Sequence, residues 1–274
     1  MLVKGIVAAY LQYMADKTDI PPQTSPQFLQ RPDGLKLAYR LRPATAKGAD
    51  RPSLLFLPGY MSDMQGSKAQ AIDRWAAGQG YGCLRMDYAG CGESDGDFEE
   101  QTLISWRDDV LLAMDNLVKG PVVLIGSSMG GWLMLLAALA RPDKVAGICG
   151  IAAAPDFTLW GFSQEQKMTI LQEGKLVEET EYGPDPYITT RGFWQSGEAN
   201  RLLHGPVDIG CPARFVHGQE DTDVPWQYSL ETAKLLRSSD VQTLFIKDGD
   251  HRLSRPQDIA MILTTLAAMM KYSL

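Results

Sequence analysis

The chain has 274 residues, of which 45% are hydrophobic, 22% charged and 9% aromatic, proportions of an ordinary globular protein with room for a sizeable core. Lys and Arg number 26 against 33 Asp and Glu, a net charge of −7, which argues against nucleic acid as the main partner because phosphate binding needs a basic face. The four cysteines, Cys83, Cys91, Cys149 and Cys211, form no C-x-x-C pair for a metal or a redox disulfide, so each reads as a small buried hydrophobe and a reducing, cytoplasmic compartment is expected.

Residues 1–30 read as an N-terminal helix and linker. The apolar stretch 5–15 is interrupted by Gln12 and falls far short of the ~20 residues a membrane-spanning helix needs, so no transmembrane segment is expected. Asp16 and Asp19 precede the first arginine, Arg31, which fits neither a secretory signal nor an Arg-rich transit peptide. An amphipathic helix is expected, followed by a linker marked by Pro21, Pro22 and Pro26.

Over 31–274, short apolar runs alternate with amphipathic stretches. Strands are expected at 35–41, 53–57, 82–87, 122–125, 145–151, 213–216 and 243–246, and helices at 67–79, 102–118, 129–140, 226–236 and 257–270. Most of the strand runs are continuously apolar, as strands buried on both faces are, so one α/β domain is expected: a mostly parallel sheet with helices on both faces. The interval 156–210 breaks the rhythm. It carries Trp160, Phe162, Phe193 and Trp194 with no clear buried strand and reads as a cap insertion, since connections of that length tend to be lids or binding segments.

The sharpest chemical signal is Val122-Val123-Leu124-Ile125-Gly126-Ser127-Ser128-Met129-Gly130-Gly131, a buried strand running through G-x-S-x-G into an apolar helix. A strand turning at once into a helix leaves no room for side chains at Gly126 and Gly130, and it presents the Ser128 hydroxyl in a strained conformation. Ser128 is the candidate nucleophile; Ser127, at the x position, points away from the cleft. A serine hydroxyl needs a base to take its proton. Of His204, His217 and His251, the last is the candidate, in a loop between the last strand and the last helix. His204 and His217 read as structural, His217 as part of a strand-ending turn with Gly218.

A carboxylate must then orient the imidazole and stabilise its charge. The stretch from His217 to Pro225 offers Glu220, Asp221 and Asp223; Asp221 is chosen because it falls at the apex of the loop, with Asp223 as the alternative, while Glu220 and Asp250 read as solvated. Donors to the oxyanion are expected from the backbone N–H of Met129, directly after the nucleophile, and of Tyr60, in the Pro58-Gly59-Tyr60 loop. The run 87–96 superficially suggests a nucleotide loop, but Gly90-Cys91-Gly92 lacks the third glycine and Glu93 and Asp95 would repel a pyrophosphate, so a tight turn is expected. No P-loop or metal-binding His pair is present, and no cofactor or metal is implied.

The turn 87–96, the elbow 126–130 and the stretch 217–225 together resemble the α/β-hydrolase superfamily over nearly all the chain after about residue 33. Narrower likeness lies in Pro58-Gly59-Tyr60-Met61-Ser62, Ser105-Trp106-Arg107-Asp108-Asp109-Val110, the elbow through Leu135, Asp223-Val224-Pro225-Trp226 and Asp250-His251-Arg252. These are similar to the mitochondrial α/β-hydrolase-domain enzymes described as acyl-protein thioesterases (depalmitoylases) and acyl-glucuronide esterases. The resemblance implies an α/β-hydrolase fold with a cap at about 156–210, a triad of Ser128, Asp221 and His251, and a small-molecule ester or acylated-protein substrate. Residues 1–30 do not look like a mitochondrial presequence, and the cap is the least similar stretch. Arg191 and Arg201 read first as surface arginines, with contact to a substrate carboxylate such as a glucuronide's as the alternative. A serine peptidase on the same fold and a catalytically silent binding module are the alternatives.

Overall fold

The computed structural model describes residues 25–180 and 185–272; the expected N-terminal helix lies outside them. Ten strands and eight α-helices are assigned among the described residues. Eight strands form one sheet: β1 (Gln27–Gln30), β2 (Lys36–Arg42), β3 (Ser53–Leu57), β4 (Cys83–Met86), β5 (Val122–Ser127), β6 (Val145–Ile151), β9 (Ala213–Gly218) and β10 (Val241–Ile246). Their order is β1-β2-β4-β3-β5-β6-β9-β10. From β4 to β10 every neighbouring pair is parallel, whereas β2 runs antiparallel to β4 and β1 antiparallel to β2. This is the mostly parallel α/β-hydrolase sheet expected.

One boundary shifts. Gln27–Gln30, assigned to the linker, is an edge strand of the sheet. The chain returns through Pro32-Asp33-Gly34, with Gly34 at φ 94° and the Arg31 N–H donating to the Leu35 carbonyl at 2.8 Å. The Pro-Asp-Gly turn was in the sequence and marks a hairpin; the polar, half-exposed strand before it has no apolar run to announce it.

The parallel strands are buried on both faces because alternate residues feed two cores. Leu55, Leu57 and Leu124 pack beneath helices α2 (Leu103–Leu117) and α3 (Met129–Ala140), with Trp106, Val110 and Leu133. Leu54, Phe56, Val123 and Ile125 face α1 (Ser67–Gln79) and α8 (Pro256–Tyr272), with Ile72, Ile259 and Leu263. Helix α2 opens on a capping box, Thr102 with Ser105, which satisfies two N-terminal donors reciprocally. Helix α7 (Gln227–Leu235) covers β9 and β10.

The interval 156–210 holds α4 (Phe157–Trp160), α5 (Gln164–Glu173), the antiparallel pair β7 (Lys175–Glu178) and β8 (Tyr187–Thr190), and α6 (Arg191–Ala199). Its two strands form a separate, half-exposed hairpin, which is why no buried apolar run announced them. Asp156 closes the insertion at its base, accepting the N–H groups of Leu202 and Leu203 at 2.8 Å each. The insertion is also anchored in the main core: Phe193 is 1% exposed and its ring lies 5.5 Å from that of Trp106.

Candidate active site

Four loops leave the C-terminal ends of the parallel strands and converge, the place where an open α/β sheet carries its ligands. Tyr60 follows β3, Ser128 follows β5, Asp221 follows β9 and His251 follows β10. Ser128 has φ 53° and ψ −122°, a conformation a non-glycine residue holds only under constraint. The constraint is visible: the Ser128 N–H donates to Ile151 O at 3.0 Å, and its carbonyl accepts from Gly131 at 2.8 Å and Ala154 at 3.0 Å. A Cβ at Gly130 would lie 2.2 Å from the Leu57 carbonyl oxygen, so only glycine lets the helix start so close to β3.

Ser128 Oγ lies 3.1 Å from His251 Nε2, and His251 Nδ1 lies 2.8 Å from Asp221 Oδ2. The loops carrying the last two residues are locked together, Gln219 N–H to Ile246 O and Glu220 N–H to Gly249 O at 2.9 Å each. A Cβ at Gly218 would fall 2.1 Å from the Gly249 carbonyl oxygen. Gly218 thus serves the approach of these two loops as well as its own turn.

The Asp221 side chain is fully buried. Burial alone would raise its pKa, but hydrogen bonds from His217 and His251, the His251 charge and the Val224 N–H outweigh that and hold the carboxylate well below its usual range. Of the other acids in the loop, Asp223 donates its backbone N–H to Asp221 Oδ1 at 2.9 Å, and Glu220 is exposed. Asp250 accepts the Leu253 N–H at 2.8 Å. His204 is exposed and lies in the chain leaving the cap. His217, read as structural, is buried at the end of β9, with Nε2 3.0 Å from Asp221 Oδ2.

A cleft of about 560 Å³ opens over Ser128, within the size range of small-ligand sites. Met129 and Tyr60 line it beside Ser128 and His251. Met129 opens α3, where N-terminal amides have no partner within the helix. The Pro58-Gly59-Tyr60 loop abuts the nucleophile position, a Cβ at Gly59 standing 3.3 Å from Ser128 Cβ. The Tyr60 ring is the hub of an aromatic cluster, 4.9 Å from Phe193, 5.3 Å from Phe98 and 5.8 Å from Trp106, and burial pushes its phenol pKa up.

The cleft lining is mixed: Phe157, Trp160, Phe162 and Tyr187 of the cap, with Lys68, Arg252 and Asp63. Burial and then the Arg252 charge bring the Lys68 pKa down to about 8, against the opposing pull of Asp250 and Asp258. Arg191 and Arg201 are elsewhere: Arg191 donates to Leu171 O at 2.9 Å and Arg201 pairs with Glu198 at 3.6 Å, and the cleft is lined by Lys68 and Arg252 instead. In the sequence Lys68 belongs to no motif, and Arg252 reads only as the residue after His251.

Asp221, Asp223 and His251 bring ligand-type atoms within 4.8 Å of one another, but a cation there would compete with the His251–Asp221 hydrogen bond. The turn 87–96 is built on Asp87, which accepts the N–H groups of Met64 at 2.7 Å and Glu93 at 2.9 Å. The four cysteines are free thiols, and burial pushes Cys91 and Cys149 up to about 12 and Cys211 to about 11, values at which none is a thiolate at neutral pH. No helix among the described residues is long and apolar enough to cross a membrane.

The sequence model described as "Alpha/beta hydrolase family" matches residues 54–265. The chain is 41% identical over 248 residues to human "Palmitoyl-protein thioesterase ABHD10, mitochondrial", covering 89% of this chain and 79% of the relative. The cattle protein of the same name is 39% identical over 265 residues, covering 92% and 85%. Among solved structures, mouse alpha/beta hydrolase domain-containing protein 10 superposes with a TM-score of 0.83 at 37% identity, covering 90% of this chain and 99% of that one. These relatives correct the cytoplasmic expectation, since their name places them in mitochondria. The cytosol is only one of several compartments that keep thiols reduced.

Proposed function

The chain belongs to the alpha/beta hydrolase family, and on that premise we propose that it hydrolyses acyl esters and thioesters through a Ser128 acyl-enzyme, with fatty-acylated protein thioesters as its substrate class. The observation that carries this reading is the continuous relay from Ser128 Oγ through His251 to Asp221, at 3.1 and 2.8 Å.

In this reading Ser128 Oγ attacks the carbonyl carbon while His251 Nε2 takes its proton, and Asp221 holds the other imidazole N–H and the positive charge that forms. The tetrahedral oxyanion accepts from the backbone N–H groups of Met129 and Tyr60, each such donor being worth ~2.7–4 kcal/mol in the transition state. Collapse breaks the bond to the thiol or alcohol, which leaves with the proton from His251. Water then attacks the acyl-enzyme with His251 again as base, releasing the carboxylic acid and restoring Ser128. The cap aromatics receive the acyl chain, which gains about 0.8 kcal/mol per buried CH₂. Lys68 and Arg252 in the cleft lining favour, as a second reading, a leaving group bearing a carboxylate, as in an acyl glucuronide.

The test is acyl release from p-nitrophenyl esters and S-acyl peptides of graded chain length, beside Ser128→Ala. Turnover that peaks at long chains and vanishes in the variant is the expected result. Equal turnover by both proteins overturns the role of Ser128, and amide cleavage exceeding ester cleavage overturns the substrate class.

A further inference from the structure

Asp221 is more fully engaged than a triad requires. Its Oδ1 accepts the backbone N–H groups of Asp223 at 2.9 Å and Val224 at 2.8 Å. Its Oδ2 is shared by His251 Nδ1 at 2.8 Å and His217 Nε2 at 3.0 Å. Four donors saturate the carboxylate's lone pairs. The protonation of His217 follows from its partners. Nε2 also lies 3.0 Å from the Val224 carbonyl oxygen; with two acceptors facing it, that nitrogen carries the hydrogen. Nδ1 lies 2.7 Å from Ser229 Oγ, a hydroxyl that donates to it when the ring hydrogen is on Nε2. His217 and Ser229 are 0% and 1% exposed, and water does not compete for these bonds.

We propose that His217 is a positioning residue for the hydrolysis: its Nε2–H fixes the plane and the charge of Asp221, and through it the orientation of His251, while Ser229 locks the tautomer that makes this possible. The inference rests on the triad reading above. Without the His217 donor one lone pair of a buried carboxylate is unmet, the carboxylate is free to turn towards His251 alone, and protons bind the Asp221–His251 pair more readily. The other charged groups around that pair are Asp223 on the loop after β9, Asp250 and Arg252 on the His251 loop, and Lys68 of α1, which donates to the Arg252 carbonyl. Substitution of His217 leaves all of them in place.

The experiment compares His217→Leu, His217→Gln, Ser229→Ala and Asp221→Asn by kcat, KM, the pH profile of kcat/KM on a p-nitrophenyl ester, and thermal unfolding. The leucine variant is expected to lose about ten- to hundredfold in kcat, the effect of one hydrogen bond to a charged group, at unchanged KM. Its acidic limb is expected to move up by roughly one pH unit. Glutamine, whose amide donates from near the Nε2 position, restores most of kcat, and Ser229→Ala loses a few-fold with the limb displaced the same way. An unmoved limb in Ser229→Ala and His217→Leu, or a kcat loss in glutamine equal to that in leucine, overturns the role of His217 alone. Asp221→Asn at wild-type turnover overturns the triad reading and this role with it.

Discussion

The Tyr60 hydroxyl donates to the Ile188 carbonyl oxygen at 2.6 Å, tying the loop beside the nucleophile to strand β8 of the cap. The same ring is packed between the cap and the main core, so the loop expected to supply an oxyanion donor is braced from both sides. Tyr60→Phe keeps the packing and removes the tether, taking the donor from a partly buried carbonyl. A loss of about 0.5–1.5 kcal/mol in unfolding free energy is expected, with kcat reduced more than KM; urea unfolding and steady-state kinetics on the same preparation check both. Unchanged stability would show that the tether carries no weight.

Ser128 holds a strained backbone conformation at the turn from β5 into α3. Ser128→Ala is expected to lower kcat by at least about 10⁴-fold with little change in stability. Ser128→Gly is equally inactive but relieves the φ of 53°, which costs roughly 1–3 kcal/mol. A Tm higher by about 2–4 °C per kcal/mol is expected for a chain of this size. Calorimetry showing the glycine variant no more stable than the alanine one would remove the strain argument.

Chain-length selection is assigned to the cap aromatics. Phe162 lines the cleft next to Phe157, ring centroids 6.2 Å apart. Truncation to alanine removes apolar contact worth about 1.5–3 kcal/mol, so kcat/KM for the longest acyl chain is expected to fall about tenfold or more while that for an acetyl ester is unchanged. A uniform fall across chain lengths contradicts the assignment.

Two buried carboxyls set a pH dependence of stability opposite to that of Asp221. Burial pushes Asp109 up to about 7, against the pull of the Ala89 N–H and of Arg31, and Asp87 up to about 6. An unfolded Asp titrates near ~3.9, so between these values the native chain holds protons that the unfolded chain has lost. Their stabilising contribution is full below about pH 4 and is lost as pH rises through about 6 to 7. Asp109→Asn cannot lose that proton. Its Tm relative to the wild type is therefore expected to climb by several degrees between pH 5 and pH 8; a constant difference refutes the buried-acid argument. The depressed Asp221 works the other way, contributing above its unfolded value and losing that contribution only in strong acid.

What the sequence made legible were elements whose physics is local. The continuous apolar runs at β3, β5 and β6 announce strands buried on both faces, and the Gly126-to-Gly130 elbow announces a strand turning into a helix. The edge strand Gln27–Gln30 and the cap hairpin were not legible, because a half-exposed strand has no apolar run and owes its place to its partner. Arg191 and Arg201 illustrate the same limit: a charge near aromatics in the sequence carries no direction, and both point to other partners.

The sequence alone determined the chemical vocabulary: a constrained serine after a buried strand, a histidine and an aspartate on later strand-end loops, and no motif for a cofactor. Tertiary structure alone decided how closely His251 approaches Ser128, that a second histidine shares Asp221 with it, and which cations line the cleft. Strand and turn propensities act over a few neighbours, whereas the Ser128–His251 contact joins residues 123 positions apart. Its distance is set by the register of a sheet to which eight strands contribute.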